Sequence, residues 1–244
     1  MNLKEMMNDA IDNVLAKDMI RQAIENDSAN DYIKYTTGEY AKHIVKEVSI
    51  QTDFESAARQ GKLNIIKAIM DYPEKEYIPG TYGTAKAMHG AAANGHTEAV
   101  KLISAKLEKQ HFTGSLFYAA SEGHTETAQT LIDMGAELNT VVNNPLEVAC
   151  SCGRYDTAKM LIQNGSDVNF NDDAALKKAI LSGRNNIAQS LIMEHGAKII
   201  DREFFQQWSP DVFQWEKKRE LNERLQQKYP PKPIKKTKGL TLKI

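Results

Sequence analysis

The sequence predicts an all-α fold, an α-solenoid of stacked helix-turn-helix pairs with helical caps at the N- and C-terminal ends. Three observations carry this. Gly61, Gly95, Gly123, Gly153 and Gly183 stand in one local context, at spacings of 34, 28, 30 and 30 residues. Four places before each stands an alanine: Ala57, Ala91, Ala119, Ala149 or Ala179. Eight places after each stands Ile69, Ile103, Leu131, Leu161 or Leu191. Self-similarity at such a period marks a repeat architecture.

Each position has a physical reading. The alanine is small because a neighbouring helix packs against it. The glycine ends a short first helix, where a left-handed backbone costs Gly least. The second helix carries apolar residues three and four apart, such as Ile65, Ile69 and Met70, or Ala128, Leu131 and Ile132. Gly135 in "GAELN" and Gly165 in "GSDVN" end that helix. One pair cannot bury both its faces, but a stack can.

The flanks differ. Residues 1–50 do not match the repeat. Leu3, Met7, Ile11, Val14, Leu15, Ile20 and Ile24 make one apolar face, "NDSAND" at 26–31 breaks it, and a second helix is expected over Tyr40–Val48. This region reads as a cap on the first repeat or as a partner-binding or dimerising element. The stretch from Asp71 to Thr84 reads as a loop. Residues 201–229 read as a degenerate helix pair that caps the far end, with Phe204, Phe205, Trp208, Phe213 and Trp215 as its core; Ser209 is the expected N-cap, with Pro210 at N1. The same aromatics would also serve as a binding patch. Residues 230–244, "PPKPIKKTKGLTLKI", are rich in Pro and Lys and read as a disordered basic tail.

With these motifs in view, residues 52–200 resemble ankyrin repeats, five of them shortened or degenerate. "NPLEVACSCG" at 144–153 follows that family's TPLHLAAxxG pattern, His89 falls on its histidine, and His96 and His124 fall on its Gly-His. The resemblance implies that these rings bond backbone between neighbouring turns. The spacings of 28 and 30 fall short of the family's 33-residue repeat, which implies shortened finger turns. The first and fifth copies lack the Pro-Leu step.

Composition narrows the function. The net charge is -1, so the whole chain is no evident polyanion binder. The charge is divided, however: residues 211–244 hold ten Lys and Arg against four Asp and Glu, net +6, which leaves -7 on residues 1–210. No apolar run is long enough to span a bilayer, and Lys4, Glu5, Asp9 and Asp12 stand where a secretion signal needs its apolar core. The two cysteines, Cys150 and Cys152, point to different faces of a helix, so neither a disulfide nor a metal pair is expected; a reducing, cytoplasmic setting fits. Cys150 reads as a small core residue and Cys152 as an accessible thiol. Phosphate-binding, dinucleotide, zinc-protease and serine-hydrolase motifs are absent. No cofactor or metal is expected.

The resemblance implies a non-enzymatic module that binds another protein through its concave surface, as an inhibitor, an adaptor, or a pathogen or viral effector against a host factor. The contacts would come from the two positions before each glycine: Arg59-Gln60, Ala93-Asn94, Ser121-Glu122, Ser151-Cys152 and Leu181-Ser182. The turns Lys109–Gly114, Thr140–Asn143 and Phe170–Asp173 would add to them. An alternative is a nucleic-acid-associated regulator that uses the basic tail. A third reading is an enzyme with its site in the N-terminal helices.

Overall fold

A computed structural model describes residues 17–37, 50–71 and 80–230. All regular structure among them is helical. The first helical stretch, α1, covers 17–25. It is followed by α2 (Ala29–Thr37), α3 (Ile50–Arg59), α4 (Leu63–Met70), α5 (Thr81–Ala93), α6 (Thr97–Ser104), α7 (Phe112–Glu122) and α8 (Thr125–Asp133). Then come α9 (Pro145–Cys152), α10 (Tyr155–Gln163), α11 (Phe170–Leu181), α12 (Asn185–Met193), α13 (Arg202–Trp208) and α14 (Val212–Lys228).

The helices stack in two layers. The first helix of each pair packs on the first helix of the next, so α3, α5, α7, α9 and α11 run side by side. The second helices α4, α6, α8 and α10 form the other layer. The repeat alanines Ala57, Ala91, Ala119, Ala149 and Ala179 are all fully buried between these helices, as are Leu131 and Leu161. One continuous apolar core runs from Ile20 to Val212.

The pairs are tied by a repeated bond. The side chain just after each glycine donates to a backbone carbonyl two places before the glycine of the preceding pair. His96 Nε2 lies 2.8 Å from Arg59 O, and His124 Nε2 lies 3.1 Å from Ala93 O. Arg154 Nε reaches Ser121 O at 2.8 Å, and Arg184 Nε reaches Ser151 O at 3.3 Å. Lys62 Nζ makes the same bond to Glu25 O at 2.6 Å. Two further ladders run beside it. Thr97 pairs with Thr127 and Thr125 with Thr157, hydroxyl to hydroxyl, at 2.7 and 2.8 Å. On the loop side, Thr113, Asn139 and Asn169 accept the backbone N–H of Glu137, Asp167 and Lys198 at 2.8–3.0 Å.

The bond from Lys62 identifies α1 and α2 as one more pair in the stack. Asp27 (φ 52°) takes the place of the glycine, Ala23 is buried four places before it, and Tyr32 is buried on the second helix. Asp27 Oδ1 also accepts from the N–H groups of Asn64 and Ile65 at 3.1 and 3.2 Å, and so caps α4.

Four expectations about elements need correction or lie elsewhere. The break at 26–31 ends at Ser28, because Ser28 and Asp31 bond to each other and start α2 at Ala29. The expected helix over 40–48 lies outside the described residues, as do 1–16, 72–79 and 231–244. Residues Thr81–Thr84 are not loop but the first turn of α5, with Gly83 and Thr84 buried. Ser209 does not cap α14 with its side chain. Residues 209–211 form a tight turn in which Ser209 O accepts Val212 N at 3.2 Å, and the helix starts at Val212. The segment that opens α11 is unusual: Asn171, Asp172 and Asp173 are all left-handed, with φ of 54°, 52° and 62°.

Gly95 and Gly183 have similar positive φ, 72° and 67°, but different surroundings. A Cβ at Gly95 would sit 2.6 Å from Nδ1 of His124, whereas a Cβ at Gly183 meets nothing within 4 Å. Both Gly→Ala changes carry left-handed strain of about 1–2 kcal/mol. Gly95→Ala also pushes the His124 ring off its carbonyl, a loss of about 1 kcal/mol. In chemical denaturation Gly95→Ala is therefore expected to cost about 1 kcal/mol more than Gly183→Ala; equal costs would mean that the cross-repeat bond adds no stability. Asp172 is exposed and left-handed, so Asp172→Gly is expected to raise stability by about 1 kcal/mol in the same assay.

Candidate partner-binding face

The first helices α3, α5, α7, α9 and α11 present one surface. Their alanines face the core, so the positions just before each glycine and one turn earlier look outward. The backbone carbonyl two places before each of the first four glycines is already taken by the next pair. The side chains there are held on a fixed frame, and their chemistry is free to differ from pair to pair.

The residues expected to bind a partner fall into two groups. Gln60, Asn94, Cys152 and Ser182 are exposed, and Ser121 and Ser151 are half-buried with their hydroxyls on Tyr118 O and Val148 O. Gln60 leans on the Ser56 hydroxyl at 2.9 Å, and Asn94 donates to Gly90 O at 2.8 Å. Cys150 is buried in the core, where burial pushes its thiol up to about 12, and the Cys152 thiol is exposed. Leu181 is 54% exposed.

Arg59 and Glu122 are exposed but already engaged. The Arg59 guanidinium lies 3.7 Å from Glu55, which also takes Lys86 at 3.0 Å and Gln51 at 2.6 Å. Burial pushes the Glu55 carboxyl up, but Gln51, Lys86 and Arg59 overcome it and hold it below the usual carboxylate range. The Arg59 methylenes also lie over Gly90, where a Cβ would sit 2.8 Å from Arg59 Cγ. Glu122 pairs with Arg154 at 3.4 Å.

Tyr118 is the residue that the sequence reading missed. It stands five places before Gly123, one turn back from Ser121-Glu122, and is 42% exposed at the middle of the stack. Its ring rests on His89 at 5.2 Å and meets the edge of Phe117 at 5.6 Å. Burial, with His111 nearby, holds His89 below its ordinary pKa. Spacing alone would have found Tyr118, since residues three and four apart share a helix face.

The turns fit unevenly. Lys109–His111 is a 3-10 turn, but Phe112 is buried and opens α7, so Lys109–Gly114 is only half turn. Thr140–Asn143 is irregular, with Val141 and Val142 72% and 73% exposed. In Phe170–Asp173, Asp173 is buried and accepts Ile200 N at 2.6 Å, while Asp172 is exposed. Glu147 replaces the patterned histidine in α9; burial pushes its carboxyl up, and the Asn171 side chain and Lys178 oppose this.

A groove of about 370 Å³ lies between α1 and α3, with Ile20 and Ile24 on one wall and Asp53 on the other. Asp53 Oδ2 accepts from the Tyr32 hydroxyl at 3.2 Å. Among the described residues no ion pair includes Asp53, and burial pushes its carboxyl up to about 6 against that hydroxyl. No three His, Cys, Asp or Glu side chains among the described residues are placed to hold a metal ion. No described helix is long and apolar enough to cross a membrane.

The family model described as "Ankyrin repeats (3 copies)" matches residues 54–142, 88–172 and 116–203. Among solved structures, the human ASB11 ankyrin repeat domain superposes with a TM-score of 0.50 at 21% identity, covering 59% of this chain and 69% of that one. At that identity the likeness concerns the fold alone.

Asp53 sets a pH test. Its folded pKa, about 6, lies above the ordinary 3.8. The folded state therefore holds the proton more tightly, its contribution is complete below pH 3.8, and it is lost as pH rises through about 6. Asp53→Asn is expected to raise stability by about 1–3 kcal/mol at pH 7 and by nothing below pH 4, read by denaturation across pH. A uniform gain at every pH would point to packing instead.

Proposed function

The chain belongs to the ankyrin-repeat family, and from that premise we propose that it is a protein-binding module whose partner sits on the face of α3, α5, α7, α9 and α11. Proteins of this family are typically non-enzymatic binding modules. The observation that carries the reading is the contrast on this one face. The buried frame repeats from pair to pair, while the outward residues change from Arg59 and Asn94 through Tyr118 and Glu122 to Cys152 and Leu181. Framework demands explain the first pattern and not the second.

Tyr118 is the anchor. An aromatic ring held by its neighbours loses little entropy on binding, and interfaces concentrate energy in a few such central residues. Asn94, Cys152 and Leu181, at the ends of other first helices on the same face, would complete the contact. Arg59 and Glu122 contribute less than their exposure suggests, because each already holds a partner within the chain. The reading extends to an inhibitor, adaptor or host-directed effector role, and the identity of the bound protein decides among these.

The test is capture of the partner by the wild-type chain, identification by mass spectrometry, and direct affinity measurement with variants. Tyr118→Ala with Leu181→Lys is expected to leave the melting temperature nearly unchanged, since both side chains are half outside. Affinity is expected to fall by about 2 kcal/mol or more, roughly thirtyfold. Full affinity in that variant at intact stability would remove this face as the binding surface.

A further inference from the structure

The outer side of α14 carries a pattern that capping does not require. Its inner side is anchored. Val212 is fully buried, and Arg219 donates to Ile192 O at 3.2 Å and Ala197 O at 2.8 Å, closing the end of α12. Glu216 takes Arg202 at 3.1 Å, and Glu223 takes Arg219 at 3.5 Å.

Leu221 and Leu225, one turn apart, are 56% and 47% exposed. Lys217, Lys218, Arg224 and Lys228 are all exposed and lie within about 80° of the line through the two leucines at 3.6 residues per turn. The acids Glu216, Glu220 and Glu223 lie about 120° or more away from that line. Among the described residues Lys217, Lys218 and Arg224 make no ion pair. The result is a seam of two leucines about 6 Å apart along the axis, set in a row of cations that runs about 17 Å from Lys217 to Lys228, with no acid beside it.

We propose that this face docks an acidic amphipathic helix of a partner protein. The width of the seam selects a helix: two leucines at i,i+4 make the narrow stripe that packs one neighbouring helix, with flanking charges that set partner choice. The charge selects the sign. A second copy of α14 would set cation against cation, which repels. An anionic bilayer calls for a broader apolar face with Trp or Phe, which this side of α14 lacks. Nucleic-acid phosphates would engage the cations and leave both leucines against water. This surface is separate from the one proposed for α3 to α11 and does not depend on it.

The test uses the full chain and a synthetic three-heptad helical peptide with Leu at a and d and Glu at e and g. Its counterpart carries Lys at e and g. The acidic peptide is expected to bind, less tightly as salt rises, and the basic one is not. Leu221→Asn with Leu225→Asn is expected to weaken binding at least about tenfold with the melting temperature unchanged. Lys217→Glu with Lys218→Glu is expected to shift preference toward the basic peptide. Undiminished binding by the leucine variant would place the contact elsewhere and overturn the proposal. So would equal binding of both peptides, self-association lost in the leucine variant, or leucine-dependent binding to phosphatidylserine vesicles with none to the peptide.

Discussion

One contact sets the terms for the rest of this chain: the side chain after each turn reaching back to a carbonyl of the preceding pair. It passes directly over the turn residue, so a Cβ there would collide with the imidazole at Gly61 and Gly95 and crowd the arginine at Gly123 and Gly153. Glycine is thus required twice, for its left-handed backbone and for its lack of a side chain. The donor is less constrained. Histidine, arginine and lysine all serve, because each carries an N–H on an arm long enough to cross the gap. Spacings between glycines range from 28 to 34 residues without disturbing the bond. Length variation is absorbed in the loops, where extra residues cost little.

That same contact shapes the proposed binding face. With their carbonyls occupied and their alanines buried, the first helices cannot shift to suit a ligand, so variation is left to the outward side chains. Two of these are diverted inward: Arg59 helps to balance the buried Glu55, and Glu122 steadies Arg154, itself a rung of the ladder. Exposure alone is therefore a poor guide to which residue is free to bind. The better guide is exposure with a support that is not itself charged, which singles out Tyr118 on His89 and Phe117.

The framework was legible in the sequence because it is periodic. Alanine, glycine and Ile or Leu at fixed offsets gave the helix pairs, the core and the all-α solenoid, and Cys150 read correctly as core. What escaped were the exceptions to the period. Asp27 hid the pair α1–α2, because the repeat was sought through its glycines and an aspartate can also hold a left-handed turn; here its carboxylate is held by the N–H groups of Asn64 and Ile65 on α4, far along the chain. The left-handed run at Asn171–Asp173 is made of residues that tolerate such a backbone, but their composition marked only a turn, not three such residues in succession. Tyr118 was passed over because the pattern assigned binding to two positions and it occupies a third on the same face. The commitment of Glu122 depends on Arg154, thirty-two residues away, which no local reading contains, whereas Arg59 pairs with Glu55 one turn back on its own helix, a spacing the sequence does show.

The C-terminal end of the stack bears on function. Any solenoid must end in a helix that is apolar on one side and wettable on the other. At the C-terminal end α14 meets the first demand with Val212, Phe213 and Arg219. A mixed or acidic outer side would meet the second as well as the one present, since residues 1–210 already carry a net charge of -7. Instead Glu216 and Glu223 pair with arginines, Glu220 stands about 120° from the leucines, and the unpaired cations flank leucines that solubility would exclude. Segregation of that kind is not a by-product of capping, because swapping Glu220 with Leu221 would leave every inward contact in place. In a stack each pair touches only its neighbours, so a partner held on α14 and a partner held over Tyr118 need not compete. The described stack thus presents two chemically distinct surfaces, one with an aromatic ring at its centre and its charges Arg59 and Glu122 paired within the chain, the other cationic with an apolar seam.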